Sequence, residues 1–445
     1  MPAVIPLISH DQPDTVFAYR GGKPVRAGTF IHEVRQLAQR LPDRPYILNL
    51  CTDRYRFVVG FCAALLRGQT SLLPPSYARD FVEQLSVRFP GTYCLVDGTA
   101  DTSSVEKIMF PQLPDETEEE YDVPHVPAVQ RAAMVFTSGS TGQPVAHEKT
   151  WGSLSADGIA EAEALDISAG SGLAILGTVP PQHMYGLEST VLVAMQNGLT
   201  LVAEKPFYPA DIRAQLQSLP LPRCLVTTPV HLRTLLDEIE ELPAVDFVMC
   251  ATAPLSAQLA REAESRFHAP LYEIYGCTEA GQLASRSPTQ NSAWRLMRGI
   301  RLRQDESGSW AHGGHVEIEA PLSDVIELNP DGTFLLHGRS ADMVNIAGKR
   351  TSLSSLNHHL NAIEGVRDGV FVLPEEDGRE VSRPMAFVVA PGLNSEELMR
   401  SLRTRIDPVF LPRPLYFVDA LPRNSTGKLT REALRQLMQQ CTGKV

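Results

Sequence analysis

Residues Ala132–Gly142 read AAMVFTSGSTG. An unbroken apolar run passes directly into Thr137, Ser138, Gly139, Ser140, Thr141 and Gly142. A short continuous apolar run that ends in small polar residues and glycines is the pattern of a buried strand feeding a loop. Glycines let the backbone fold closely around a ligand, and successive amides with neighbouring hydroxyls supply donors to phosphate oxygens. By itself the same stretch also describes any polar turn. The Walker pattern GxxxxGK[ST] is absent.

The strand half of this signature recurs through the first three quarters of the chain, as RPYILNL, TSLLPP, TYCLVDG, GLAILGTVPP, LTLVAE, RCLVTTP and AVDFVMC. Helical periodicity lies between these runs, at Phe30–Leu41, Tyr55–Leu66 and Ser256–Phe267. Alternating strands and helices predict a layered α/β unit with largely parallel sheets over residues 1–338. Asn329-Pro330-Asp331-Gly332 predicts a hairpin turn, because proline presets one dihedral and Asp-Gly accepts the tight reversal. Beyond Gly338 the elements shorten. A helix at Leu353–Ile363, strands at Gly369–Leu373 and Met385–Val389 and a helix at Ser395–Arg405 predict a small α+β unit. A length of 445 residues fits two domains.

Composition narrows the function. The chain is 43% hydrophobic and 21% charged, with 40 basic against 52 acidic side chains and a net charge of −12. That charge argues against a nucleic-acid or anionic-membrane partner. Apolar stretches such as Phe57–Leu66 fall short of the ~20 residues of a membrane span. The N-terminus MPAVIPLISHDQPD lacks the flank and apolar core of a secretory signal, so a cytoplasmic location is expected. The seven cysteines form no CxxC pair, which argues against a zinc site or a disulfide framework. The acidic run Pro114–Tyr121 reads as a solvated loop.

Two further segments carry chemistry. Tyr272–Glu279, YEIYGCTE, ends an apolar segment in an aromatic ring, a glycine, a hydroxyl and a carboxylate. Tyr275 suits stacking on a base, Gly276 close backbone approach, Thr278 a phosphate and Glu279 a magnesium ion through hard oxygen. A strand end with an exposed acid reads the same way. Near the C-terminus, Asn424–Arg431 reads NSTGKLTR, and Lys428 beside Gly427 suits stabilisation of charge developing on a carboxylate and a phosphate. An ordinary surface lysine is the competing reading.

Taken in order, TSGSTGQP, YGCTE, Asp324 before the hairpin, GRSADMVNIAGKR and PRNSTGK resemble the adenylate-forming superfamily of acyl-CoA synthetases, adenylation domains and luciferases. The resemblance covers nearly the whole chain, although the part before Arg131 matches only in general pattern. It implies a large N-terminal multi-sheet α/β domain over 1–338, a hinge at 339–342 and a small mobile C-terminal α+β domain over 343–445. It further implies that Thr137 to Gly142 wrap the β- and γ-phosphates of ATP, that Tyr275 stacks on adenine and that Gly276 belongs to the same nucleotide segment. Thr278 would contact the α-phosphate, Glu279 the Mg2+ ion, and Asp324 with Arg339 the ribose. Ala251, Thr252 and Ala253 would border the adenine and acyl pocket, and His183 with Gly186 would meet the acyl substrate. Lys428 would serve adenylation and then rotate away.

Two departures stand out. The phosphate loop continues Pro144-Val145-Ala146 where the family has PKG, leaving Lys149 either as a substitute cation or as a solvated helix-start lysine. Ala341 stands where the pivot usually has Asp or Lys. The activity implied is activation of a small carboxylic acid to an acyl-adenylate, then transfer to a pantetheine thiol of CoA or of a separate carrier protein. Acyl-AMP formation without thiolation, and a degenerate nucleotide-binding protein, are the alternatives. TSGSTGxPxxHxKTW and HMYGLE resemble compact bacterial ligases of aryl-polyene or hydroxybenzoate-type pigments. That puts an aryl acid first and a fatty acid second.

Overall fold

A computed structural model describes residues 3–74, 77, 79–98, 105–113, 121–138, 144–306, 308–339, 343–346, 349–373, 384–423, 429 and 431–442. The apolar runs become strands because their residues are buried on both faces, as strands of parallel sheets covered by helices must be. All eight expected strands form, at Tyr46–Asn49, Thr70–Leu73, Tyr93–Val96, Arg131–Ser138, Ala174–Gly177, Thr200–Val202, Arg223–Thr227 and Phe247–Cys250.

They divide between two sheets. In the first, a six-stranded sheet, Arg131–Ser138 runs parallel to Thr70–Leu73 and antiparallel to Pro144–Thr150 at the edge. In the second, a nine-stranded sheet, Ala174–Gly177, Arg223–Thr227, Phe247–Cys250 and Leu271–Cys277 are consecutive parallel neighbours. Gly281–Arg286 then turns back antiparallel beside Leu271–Cys277.

Two helices join the sheets. Arg54–Leu66 packs against strands of both, as does Trp151–Ala164. Each is deeply buried on most of its surface, as a helix sandwiched between two sheets must be, although Arg54, Asp157 and Glu161 are buried with the apolar residues. Trp151, Phe57 and Phe61 are among the largest fully buried side chains there. Local signals fix the helix starts, with Asp53 accepting from the Arg56 amide, Thr150 from Ser153 and Ser256 from Leu259.

The hairpin forms as expected between Asp324–Leu328 and Phe334–Arg339. Gly332 takes φ +84°, and the Asp331 carboxylate accepts from the Thr333 amide and hydroxyl, which pins the turn. The C-terminal region then builds a separate apolar core around Val344, Leu356, Leu360, Phe371, Val388 and Leu402. Its helices are Leu353–Asn361 and Ser395–Arg403, the second closed by an Asn394/Glu397 capping box. Met385–Val389 lies between an antiparallel Asp368–Val372 and a parallel Leu415–Phe417. The architecture is the expected one, a large multi-sheet α/β domain followed by a small α+β domain. Among the described residues, no helix is long and apolar enough to cross a membrane.

Candidate active site

Parallel strands deliver their carboxyl ends to one edge of a sheet, and open α/β sheets place ligands in the crevice outside that edge. In the nine-stranded sheet this edge carries Thr178–His183, Thr227–Thr228, Ala251–Ala253 and Gly276–Glu279, each directly after or at the end of its strand. The loops are fastened to one another. Thr178 and Thr227 share a hydroxyl–hydroxyl hydrogen bond of 3.1 Å, Tyr185 donates to the Thr227 carbonyl at 3.2 Å, and the Leu255 amide donates to Glu273. Thr252 has φ +79°, a left-handed conformation that costs a threonine on the order of 1–3 kcal/mol and occurs where a loop is shaped for a task.

Tyr275 is only 7% exposed, its ring packed 5.6 Å from both Trp294 and Phe334. Its hydroxyl donates to Asp324 Oδ2 at 2.9 Å. The aromatic and acidic members of the expected nucleotide set therefore meet, although 49 residues apart in sequence. Gly276 is required by the fold itself. A Cβ there would stand 2.4 Å from the Gly281 carbonyl, so the close approach it permits is between neighbouring strands at a bulge. Gly186 is similarly constrained, since a Cβ would sit 1.9 Å from the Pro180 carbonyl. His183 immediately precedes the short helix Met184–Gly186 and is half-buried. A π-helical turn, Leu187–Leu192, follows.

The edge hairpin Arg131–Ser138/Pro144–Thr150 carries the phosphate loop, whose residues Gly139, Ser140, Thr141 and Gly142 lie outside the described residues. Thr137 and Ser138 close its first strand. Lys149 is not a solvated helix-start residue. It lies on the outgoing strand, 7% exposed, and its Nζ donates to the Glu279 carbonyl at 2.7 Å.

Behind that contact lie three buried carboxyls, Asp157, Glu161 and Glu188. Burial raises all three above the ordinary carboxyl range, Glu161 to about 8. Asp157 and Glu188 also hydrogen-bond to each other, which requires a proton between them. His315 stands 3.7 Å from Asp157, and burial lowers it to about 4, so it is neutral at pH 7.

Family models match this chain over two segments, the AMP-binding enzyme at residues 90–303 and the AMP-binding enzyme C-terminal domain at residues 360–428. The chain belongs to the AMP-binding enzyme family. It is 23% identical to the 2-succinylbenzoate–CoA ligase of Staphylococcus epidermidis, over 68% of this chain and 69% of that protein. It is 27% identical to the 4-coumarate–CoA ligase of Halorhodospira halophila, over 66% and 73%. The fold matches that of O-succinylbenzoate coenzyme A synthetase from Bacillus subtilis in complex with ATP and magnesium ion, with a TM-score of 0.80 at 18% identity, covering 96% of this chain and 97% of that one. That neighbour holds ATP and magnesium ion, and this chain is an AMP-forming ligase.

Its residues fit those groups. Glu279 offers a hard carboxylate in a half-buried turn. Among the described residues, no cluster of three or more His, Cys, Asp or Glu could hold a metal ion unaided. Mg2+ characteristically binds one or two carboxylates together with nucleotide phosphates, so a lone Glu279 beside a nucleotide crevice suits it.

Two features of this AMP-binding enzyme escaped the sequence reading. Arg54 is fully buried, donating from Nη1 to the Val202 and Glu204 carbonyls and from Nη2 to those of Gly177 and Val179, at 2.8–3.1 Å. Glu273 is buried against Arg286 at 2.6 Å, and that guanidinium also lies 4.4 Å over the Trp294 ring. Lys428 lies outside the described residues, as does Ala341, and the side chain of Arg339 is not described. The flanks of the Lys428 segment are clear. Arg423 makes a bidentate pair with Asp368 at 2.8 and 2.9 Å, and a single bridge joins Arg423 to Leu429. Arg233, on the helix Pro229–Glu238, feels both Asp368 and Arg423.

Proposed function

We propose that this enzyme activates an aryl carboxylic acid at the α-phosphate of ATP and transfers the acyl group from the adenylate to a pantetheine thiol, on CoA or on a separate carrier protein. The observation that carries the reading is the joint arrival of Ala251–Ala253, Tyr275–Glu279, His183 and the Tyr275–Asp324 pair at the carboxyl edge of one parallel sheet.

In this reading Asp324 accepts from the ribose hydroxyls while Tyr275 orients its carboxylate and offers its ring to adenine. Thr137 to Gly142 hold the β- and γ-phosphates, Thr278 the α-phosphate, and Arg339 assists at the ribose. Mg2+ neutralises phosphate charge when held by Glu279. His183 and Gly186 border the acyl group. Residues 1–338 and 343–445 act as two domains about a hinge at 339–342, and Lys428 meets the reacting carboxylate only in the first half-reaction. The relatives named for succinylbenzoate and coumarate favour an aromatic acid over a fatty acid. The enzyme works in the cytoplasm, a reading supported by seven free cysteines.

The test is pyrophosphate release from a panel of aryl and fatty acids with ATP and Mg2+, with CoA, with a carrier protein and with neither. AMP and an aromatic acyl thioester are the expected products. ADP in place of AMP would overturn the activation step, and a preference for fatty acids would overturn the substrate class.

A further inference from the structure

Lys149 touches both halves of the nucleotide site. It lies on the outgoing strand of the phosphate hairpin, opposite Ala133 on the incoming one. Its ammonium donates to the backbone carbonyl of Glu279, 130 residues away in sequence. Residues two apart on a strand share a face, and His147, two before Lys149, feels the Glu279 carboxylate.

The turn bearing Glu279 is gripped on its other side as well. Asp157 Oδ2 accepts from the Gln282 amide at 3.3 Å, and a Cβ on Gly281, whose φ is +85°, would stand 2.5 Å from that same oxygen. The Glu279 carbonyl and the Gln282 amide are thus both tied to buried charged or polar side chains, one from each neighbouring element.

A flexible lysine stem is a poor filler for an interior, and an apolar residue would fill the same space with no charge to desolvate. What the ammonium adds is a directed, charge-assisted bond to one carbonyl. We propose that Lys149 is a positioning residue that couples the phosphate hairpin to the metal-binding carboxylate, fixing Glu279 and so setting the Mg2+ concentration at which the enzyme binds nucleotide. This rests on the reading of Glu279 as the magnesium ligand. Groups that orient a metal ligand from behind typically govern metal affinity by about 10- to 100-fold.

The test is calorimetric binding of a non-hydrolysable ATP analogue at stepped Mg2+ concentrations, alongside pyrophosphate release over the same range. Lys149→Met is expected to raise the Mg2+ midpoint about tenfold or more, with turnover largely regained at saturating Mg2+. Should that variant not fold, Lys149→Gln, whose amide still donates, replaces it and is expected to show a smaller rise. Glu161→Gln alters the same buried cluster without touching Glu279, and should leave the midpoint in place. An unmoved midpoint in the Lys149 variant, or an equal shift in Glu161→Gln, overturns the coupling. Glu279→Gln separates the two ideas. If it shifts the midpoint while the Lys149 variant does not, only the coupling fails; if it does not, the assignment of Glu279 fails first.

Discussion

Glu279 and Lys428, the two charged residues assigned to the reaction, belong to regions held in opposite ways. Glu279 lies in the turn that follows a strand of the large domain, its carbonyl taken by Lys149 and the strand anchored by the buried Glu273–Arg286 pair. Lys428 belongs to a segment whose described flanks carry the partly exposed Arg423–Asp368 ion pair, an isolated bridge and a small apolar cluster that takes in Leu421, Leu429 and Leu437. That segment belongs to a region with its own apolar core. Damage to the first region should spread through the fold, and damage to the second should stay within one chemical step.

Arg286→Met strikes the first region hardest. Removing one member of a buried pair leaves a desolvated charge and costs about 3 kcal/mol or more, so denaturant unfolding should shift by that amount and both half-reactions should fall together. Unchanged stability would show that Glu273 tolerates burial alone.

Lys428→Ala tests the other side. Loss of a group that stabilises transition-state charge commonly costs on the order of 10²-fold in rate. Single-turnover kinetics should show that loss in adenylation while presynthesised acyl-adenylate still yields thioester. Equal loss in both halves would remove the contrast.

A smaller effect is expected from Arg423→Ala. Its pair is about one-quarter exposed and solvent-screened, so about 1 kcal/mol of stability should be lost. Hydrogen exchange should quicken around Asp368–Val372 and Leu415–Phe417 and not in the nine-stranded sheet.

A further test is pH. Glu161 keeps its proton up to about pH 8 in the folded protein, far above the unfolded range. The native state therefore binds more protons, and this contribution is fully present below about pH 4 and lost as pH rises to about 8, at no more than about 1.4 kcal/mol per pH unit per proton. Glu161→Gln should flatten thermal stability over that window. An unchanged slope would assign the effect to Asp157 and Glu188.

What the sequence disclosed was local in origin. Asn329–Gly332 was legible because turn chemistry lies within four residues, and Ser256 begins a helix through a side chain that reaches three residues ahead. Tyr275 and Glu279 were legible as residue types and Asp324 through a resemblance, but the meeting of Tyr275 with Asp324 was not, because it depends on how distant segments fold together. Arg54 and Glu161 escaped the sequence altogether, and for Lys149 the sequence left a substitute cation and a solvated lysine both open. Each is a charged residue in an ordinary stretch, and its partners arrive from more than a hundred residues away for Lys149 and Arg54, and from the Leu187–Leu192 turn and Gln282 for Glu161. At Gly276 the structure shows the Gly281 carbonyl in the space a side chain would take, since a pattern records that space is needed and not what fills it.

The Arg54 guanidinium has one more consequence. Four carbonyl oxygens converge where the strands Ala174–Gly177 and Thr200–Val202 end, and such a ring of hard donors is what a free cation seeks. Here the cation is covalently part of the chain, and although burial lowers its pKa to about 10 it stays charged at neutral pH. Arg54 thus acts as a resident cation that no chelator can strip.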